Sequence, residues 1–318
     1  MSARPLIIRL RNWVGDVVLG LPALQRLEQA GYQLHLVGKG WAADLLAGHG
    51  WPVQALGRTL GDRVAQLRRL RQQARALDPG FDRRVNAIAF PYSLSSALEM
   101  RLAGLKAVGH RHEGRGWLLH RAVPRQAHAH EMASYGHLAN VVLGEDLPLP
   151  DRVQLLLAPA HLQAAAELKQ RLGLRPGYVV ICPFAGGTFE KLDKSWPHFA
   201  RFAAEALPPL GRDVLICPGP GEEQALAERS FAGCTVAPGV GLGAYAALLR
   251  DAALVVSNDT GPGHMAAAVG APLLSVLGPT DPARWGAIGP QVRVMQQAPG
   301  WPSVEAVLAR TRALLQGR

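Results

Sequence analysis

Asp259, Thr260, Gly261 and His264 fall in a dense run of polar and turn-forming residues, Ser257-Asn258-Asp259-Thr260-Gly261-Pro262-Gly263-His264. The apolar segment Ala253–Ser257 precedes this run and the small-residue stretch Met265-Ala266-Ala267-Ala268 follows it. That order reads as a strand, a turn and the start of a helix. Free amides at a helix start attract anions, and flanking glycines let a phosphate come close. Asp259 could accept hydrogen bonds from sugar hydroxyls. A histidine at the place of His264 is more often packed or capping than catalytic.

Three other loops follow strand-like runs. Pro183-Phe184-Ala185-Gly186-Gly187-Thr188 leads to Lys191, Lys194 and Trp196-Pro197. Small residues expose backbone N–H groups, Thr188 adds a hydroxyl, and Lys194 could neutralise a diphosphate. The bland reading is a surface loop with a solvated lysine; the G-x-x-x-x-G-K-[ST] pattern of a Walker loop is absent. Pro218-Gly219-Pro220-Gly221-Glu222-Glu223 ends in carboxylates that could hold ribose hydroxyls. Acidic residues in a first helical turn explain them equally well. Arg11-Asn12-Trp13-Val14-Gly15-Asp16 follows the first apolar run. Asp16 is either a helix N-cap, stabilising by about 1 kcal/mol, or a carboxylate that takes a proton from an acceptor hydroxyl.

Several other patterns read as structure. Gly239-Val240-Gly241-Leu242-Gly243 resembles part of a dinucleotide fingerprint but comes late, with no strand leading into it, and reads as a loop. His110, His112, His120, His128 and His130 form no metal-ligand frame, and solvated or phosphate-facing positions are expected. The three cysteines, Cys182, Cys217 and Cys234, are odd in number and lack a C-x-x-C pair, so free thiols are expected and a metal is not.

The elements that must position these loops alternate between β-rich and helical runs. Leu6–Leu10, Leu34–Val37 and Val85–Phe90 read as strands. So do Tyr178–Cys182, Asp213–Cys217, Ala253–Ser257 and Leu273–Leu277. Helical spacing runs through Gly61–Leu77, where Val64, Leu67, Leu70, Ala74 and Leu77 form one stripe. It recurs in Ala160–Leu172, Glu222–Arg229, Ala244–Arg250 and Val304–Leu315. This alternation implies an α/β protein with parallel sheets covered on both faces. The length, 318 residues, suits two domains rather than one. The expected division is residues 1–158, 159–300 and a terminal helix, 301–318. Ligands of such sheets bind at the strands' carboxyl ends, so a cleft between two sheets is the natural site.

Composition narrows the partners. With 48% hydrophobic and 18% charged residues, each half can bury a core. No apolar run reaches the roughly 18 residues of a membrane helix, and the N-terminus lacks a secretory pattern. A cytoplasmic protein is expected, either free or peripheral at the inner membrane. Net charge is +10, and Lys and Arg exceed Asp and Glu by 20 to 12 through Ala158 but only by 14 to 12 afterwards. A basic first half implies an anionic partner. Nucleic acid is not favoured, because aromatic–basic recognition motifs are missing.

The motifs together resemble the ADP-heptose–lipopolysaccharide heptosyltransferases, glycosyltransferase family 9. The resemblance covers nearly the whole chain. Its most specific part is Asn258-Asp259-Thr260-Gly261-Pro262-Gly263-His264 with Ala266-Ala267, then Leu277-Gly278-Pro279-Thr280-Asp281-Pro282. Trp13-Val14-Gly15-Asp16 and Lys194-Ser195-Trp196-Pro197 agree in order and spacing. The resemblance implies a GT-B fold: two Rossmann-like domains facing a cleft, with the last helix crossing back to the first domain. It implies an inverting transferase needing neither metal nor cofactor. The donor would be an ADP-activated heptose, and the acceptor an anionic lipopolysaccharide core at the inner membrane face. Asp16 corresponds to the family's general base and Lys194 to its lysine near the donor phosphates. Thr188 lies in the donor loop. Glu222 matches the ribose carboxylate, with Glu223 leaving that register open by one. Asp259 matches the sugar-contacting aspartate, and Thr260, Gly261 and His264 the phosphate-side loop. Arginines in Arg58–Arg84 and Arg101–Arg125 would hold the acceptor. Two alternatives are a GT-B transferase for another nucleotide sugar and a non-catalytic protein that binds one.

Overall fold

A computed structural model of the chain describes residues 4–126, 129–189, 191–297 and 299–316. The chain divides into two units, Met1–Pro150 and Asp151–Arg318. This division falls a few residues before the expected 158/159. The cause is local: the Leu155 N–H donates to the Ala268 carbonyl at 2.9 Å, which ties the connecting segment to the second unit.

In the first unit the elements follow in the order β1 (Arg4–Arg9), α1 (Val14–Leu19), α2 (Leu21–Gln29), β2 (Tyr32–Gly38), α3 (Trp41–Leu45), β3 (Val53–Ala55) and α4 (Leu60–Leu77). Then come β4 (Ala87–Ala89), α5 (Leu94–Leu102), β5 (Ala107–His110), β6 (Arg121–Val123) and α6 (Glu131–Leu143). The six strands lie in the order β3-β2-β1-β4-β5-β6, and every pairing is parallel. Helices on both faces cover the sheet, so its central strands are apolar residue after residue: Leu6, Ile7 and Ile8 are wholly buried.

The second unit repeats the plan. Its elements are α7 (Pro159–Arg171), β7 (Val179–Cys182), β8 (Thr188–Phe189), β9 (Leu192–Asp193), α8 (Phe199–Arg201), β10 (Val214–Ile216) and α9 (Glu222–Ser230). They continue with β11 (Thr235–Val236), α10 (Leu242–Asp251), β12 (Leu254–Ser257), α11 (Gly261–Ala268), β13 (Leu273–Leu277), α12 (Pro282–Trp285), β14 (Val292–Gln296) and α13 (Val304–Gln316). The strand order is β11-β10-β7-β12-β13-β14, again all parallel, and β8 and β9 form a separate antiparallel pair. Val304 and Val307 of α13 enter the buried cluster built on Val179, Trp196, Phe202 and Val256.

Both sheets are doubly wound, and each has one place where the strand order reverses: between β1 and β4, and between β7 and β12. Loops leaving the carboxyl ends of strands beside such a reversal diverge and leave a crevice. Asp16 follows β1. The Pro183–Thr188 loop follows β7 and the Asn258–Thr260 turn follows β12. Topology therefore puts three of the four candidate loops beside a reversal point.

Helix α4 starts where the sequence predicts. Thr59 accepts from the Asp62 N–H at 3.1 Å, and Asp62 accepts from the Thr59 N–H at 3.0 Å, a reciprocal capping box. Val64, Leu67, Leu70 and Ala74 are buried as the stripe requires, whereas Leu77 at the helix end is 48% exposed. The Gly239–Gly243 segment is only partly a loop, because Leu242 and Gly243 open α10. Gly243 packs against α7 so closely that an added Cβ would stand 2.2 Å from the His161 ring. Gly243→Ala is accordingly expected to destabilise the second unit by about 1–3 kcal/mol. A urea-unfolding midpoint equal to that of the parent chain would contradict this close approach.

Candidate active site

The first unit holds Asp16 as the third residue of α1. The residue at the N-cap position is Trp13, without a side-chain cap. The helix-cap reading of Asp16 is therefore replaced by a tertiary one. Asp16 Oδ1 accepts a 2.7 Å hydrogen bond from the Tyr135 hydroxyl on α6, and Arg11 Nε approaches the same oxygen at 3.4 Å. Among the described residues Oδ2 has no hydrogen-bond partner, and the side chain keeps 11% of its surface open. One oxygen is thus held in place while the other keeps its lone pairs for a further donor.

The residues around Asp16 form a buried charged network. The Arg11 guanidinium lies 4.6 Å from the centre of the Tyr92 ring, and Arg125 lies 4.4 Å from it. The Tyr92 hydroxyl donates to Glu131 at 2.5 Å, and Arg125 pairs with the other Glu131 oxygen at 3.2 Å. Burial, followed by Asp16, pushes the Tyr135 hydroxyl well above the ordinary phenol range, so it remains a donor. Burial and Glu131 push Tyr92 up to about 12. Burial opposes the Arg11 charge, but Tyr135, Asp16, Glu131 and Tyr92 outweigh it and keep the guanidinium protonated.

The second unit gathers Lys194, Asp259 and His264. Asp259 Oδ2 stands 3.5 Å from Lys194 Nζ, and Oδ1 stands 3.5 Å from His264 Nε2. Lys194 Nζ also donates to the Asp259 carbonyl at 3.4 Å. Burial raises the Asp259 carboxyl, but His264, Lys194 and the Thr280 hydroxyl outweigh it and hold the group below the ordinary carboxylate range. His264 Nδ1 is buried and, among the described residues, has no hydrogen-bond partner.

Asn258 holds this cluster together. It is 1% exposed. Its Nδ2 donates to the Pro183 carbonyl at 2.7 Å, and its Oδ1 accepts from the Trp196 N–H at 2.9 Å. One side chain therefore fixes the loop after β7 and the Lys194–Trp196 segment to the end of β12. Thr260 is the N-cap of α11, and Gly261 is the first residue of that helix. Gly263 must lack a side chain, since an added Cβ would lie 2.9 Å from the Ser257 hydroxyl. Thr188 opens β8, where the backbone alone is described.

Glu222 and Glu223 differ in their contacts. Glu223 accepts from the Gly219 N–H at 2.8 Å, which closes its own loop. Glu222 is exposed and, among the described residues, has no polar partner. Both lie in the first turn of α9.

Sequence reasoning missed Tyr135, Tyr92 and Glu131, which meet Asp16 or Arg11 from distant parts of the unit, and it gave Arg125 to the acceptor without its pairing to Glu131. It also misplaced His110, expected on the surface. That ring is fully buried between the Pro124 and Ser134 carbonyls, 3.2 and 2.9 Å away, and burial lowers its proton affinity. His128 lies outside the described residues. Cys182, Cys217 and Cys234 are free thiols, and burial raises Cys182 and Cys234 each to about 11.

Known proteins share this plan. The structure of Escherichia coli ADP-heptose lps heptosyltransferase II superimposes with a TM-score of 0.78 at 22% identity, covering 100% of this chain and 99% of that one. The glycosyl transferase family 9 structure from Veillonella parvula gives 0.78 at 17% identity, over 99% and 98%. These likenesses identify the α/β fold as GT-B. In sequence, lipooligosaccharide heptosyltransferase 2 of Haemophilus influenzae is 28% identical over 298 residues, 85% of this chain and 82% of that protein. Lipopolysaccharide heptosyltransferase 3 of Escherichia coli K12 is 34% identical over 121 residues. That match takes in 36% of this chain and spans about a third, 34%, of the relative's length. Residues 68–308 match Glycosyltransferase family 9 (heptosyltransferase), the greater part of both units, and the chain belongs to that family.

Proposed function

We propose that the chain is an inverting, metal-independent heptosyltransferase that moves heptose from an ADP-heptose donor to a lipopolysaccharide core acceptor. The observation that carries this reading is the Lys194–Asp259–His264 cluster beside the helix start of α11, in a member of family 9. Two related Escherichia coli structures, of a heptosyltransferase with ADP and with ADP-2-deoxy-2-fluoro heptose, support an ADP-sugar as donor.

The acceptor hydroxyl oxygen attacks the anomeric carbon, and the bond from that carbon to the diphosphate oxygen breaks. The electron pair leaves with ADP, and the hydroxyl proton passes to Asp16 Oδ2. A single displacement inverts the centre. Lys194 and the amides at Gly261–His264 meet the charge that grows on the leaving diphosphate. Asp259 accepts from sugar hydroxyls, Glu222 from the ribose, and Thr188 contributes to the donor loop.

Arginines near the strands' carboxyl ends, Arg58, Arg63, Arg111 and Arg125, suit the anionic acceptor. No helix among the described residues is long and apolar enough to cross a membrane. A peripheral position at the inner membrane face would bring the chain to a lipid-linked acceptor.

The test is turnover of ADP-heptose on truncated lipopolysaccharide acceptors, with the product anomer read by NMR. Retention of configuration, or loss of turnover in EDTA, would overturn the mechanism. Glu222→Ala is expected to weaken ADP binding about tenfold or more by calorimetry, the effect of losing hydrogen bonds to a charged acceptor. Glu223→Ala should instead lower thermal stability through the freed Gly219 amide. A larger affinity loss in Glu223→Ala would reverse the assignment.

A further inference from the structure

The first unit carries a second cluster of positive charge away from Asp16. Helix α4 leaves the carboxyl end of β3 and runs toward the amino end of β4. Eighteen residues at about 1.5 Å each carry it across the sheet. Arg71 and Arg75 therefore lie toward the amino ends of the strands, together with the last turn of α5, which leads into β5. Asp16 and the start of α4 lie at the opposite, carboxyl edge. At the far end Arg68, Arg71, Arg75, Leu102 and Gly104 line a surface cavity of about 280 Å³.

The cavity is organised as an anion receptor. Arg71 donates from Nε and Nη2 to Asp82 at 2.9 and 2.8 Å, and Arg75 Nε stands 3.2 Å from the same carboxylate. Arg68 donates to the Leu102 carbonyl at 3.1 Å. These bonds fix three guanidinium groups while using only part of their five N–H donors each. One carboxylate pairs with Arg71 and Arg75 while Arg68 meets only a backbone carbonyl, so three cations against one anion leave the cavity with net positive charge. The bare backbone of Gly104, at φ +75°, makes room for this. An added Cβ there would stand 2.5 Å from Arg71 Nη1. Leu102, 46% exposed, supplies an apolar lip.

We propose that this cavity is a second anion site that takes a phosphate group, mono- or diester, independently of the reaction centre. Guanidinium forks match phosphate oxygens in pairs, and partial pre-orientation by Asp82 lowers the ordering cost of binding. The phosphate could belong to a lipid headgroup or to a soluble ester. The two sources give different readouts with the same protein.

The full chain is compared with an Arg68→Ala/Arg75→Ala variant, both exposed positions, with melting temperature as the check on folding. One arm measures co-sedimentation with phosphatidylglycerol vesicles, using phosphatidylcholine vesicles as the reference. The other titrates inorganic phosphate and follows the arginine side-chain resonances by NMR. The expected result is binding in at least one arm that falls about tenfold in the variant and weakens with added salt. Vesicle binding alone identifies a headgroup; a phosphate response alone identifies a soluble ester. Binding in neither arm, or equal binding by the variant, overturns the proposal. A variant that unfolds is replaced by Arg75→Gln, judged by the same loss of binding.

Discussion

Asp16→Asn is expected to keep ADP affinity unchanged and to lower turnover about 10²–10⁴-fold, the usual loss when a general base is removed. Asparagine has the size of aspartate, and its amide oxygen can still accept from the Tyr135 hydroxyl, so the turn keeps its geometry. It cannot take a proton. Arg11 loses its partner, but Tyr92 and Glu131 still surround it. Initial rates at saturating ADP-heptose, with calorimetry for ADP, separate the outcomes. Near-normal turnover would reduce Asp16 to a structural partner of Tyr135. Loss of ADP binding as well would point to a misfolded variant.

Lys194→Ala is expected to lower turnover about 10²–10³-fold, the scale of removing one preorganised donor to a developing oxyanion. Here ADP binding should weaken as well. The ammonium sits 3.5 Å from Asp259 Oδ2, so its removal leaves that carboxylate with the His264 ring, 3.5 Å from Oδ1, as its nearest ion-pair neighbour. An incoming diphosphate would then meet an under-compensated negative charge in a half-enclosed place. Lys194→Arg is expected to restore charge without the geometry, because a planar fork does not occupy the place of an ammonium. Stopped-time assays with ADP-heptose at several concentrations read both parameters. An unchanged KM and kcat would remove Lys194 from the donor site.

The legible strands were those with long apolar runs buried on both faces; Ala107–His110 is as deeply buried but is too short to stand out, and ends in a glycine and a histidine. Runs such as Leu6–Leu10, Tyr178–Cys182 and Leu273–Leu277 are apolar throughout because helices cover the sheet above and below. The strands Val53–Ala55, Thr235–Val236 and Val292–Gln296 escaped notice for the opposite reason. They lie at or next to sheet edges, are short or half exposed, and carry polar residues in place of a continuous apolar run. The same contrast holds in the site. Asp259, Lys194 and Glu222 sit in or beside loops whose glycines and prolines announce themselves locally. Tyr135 lies in the middle of an ordinary helix, and its bond to Asp16 spans 119 residues of sequence. No local pattern encodes that contact. His110 shows the limit in the other direction: a histidine-rich stretch invites a surface reading, but the ring fills a cavity between two carbonyls.

The Trp196 indole N–H donates to the Pro302 carbonyl at 2.9 Å, just ahead of the terminal helix. Two residues before that indole stands the ammonium expected at the diphosphate. Order at Lys194 is therefore shared with the segment just ahead of α13, and local opening there would reach this lysine. With Lys194 in its proposed role, trimming or tagging α13 would act as a remote control on ADP affinity, with no change to any side chain proposed to touch the ligand.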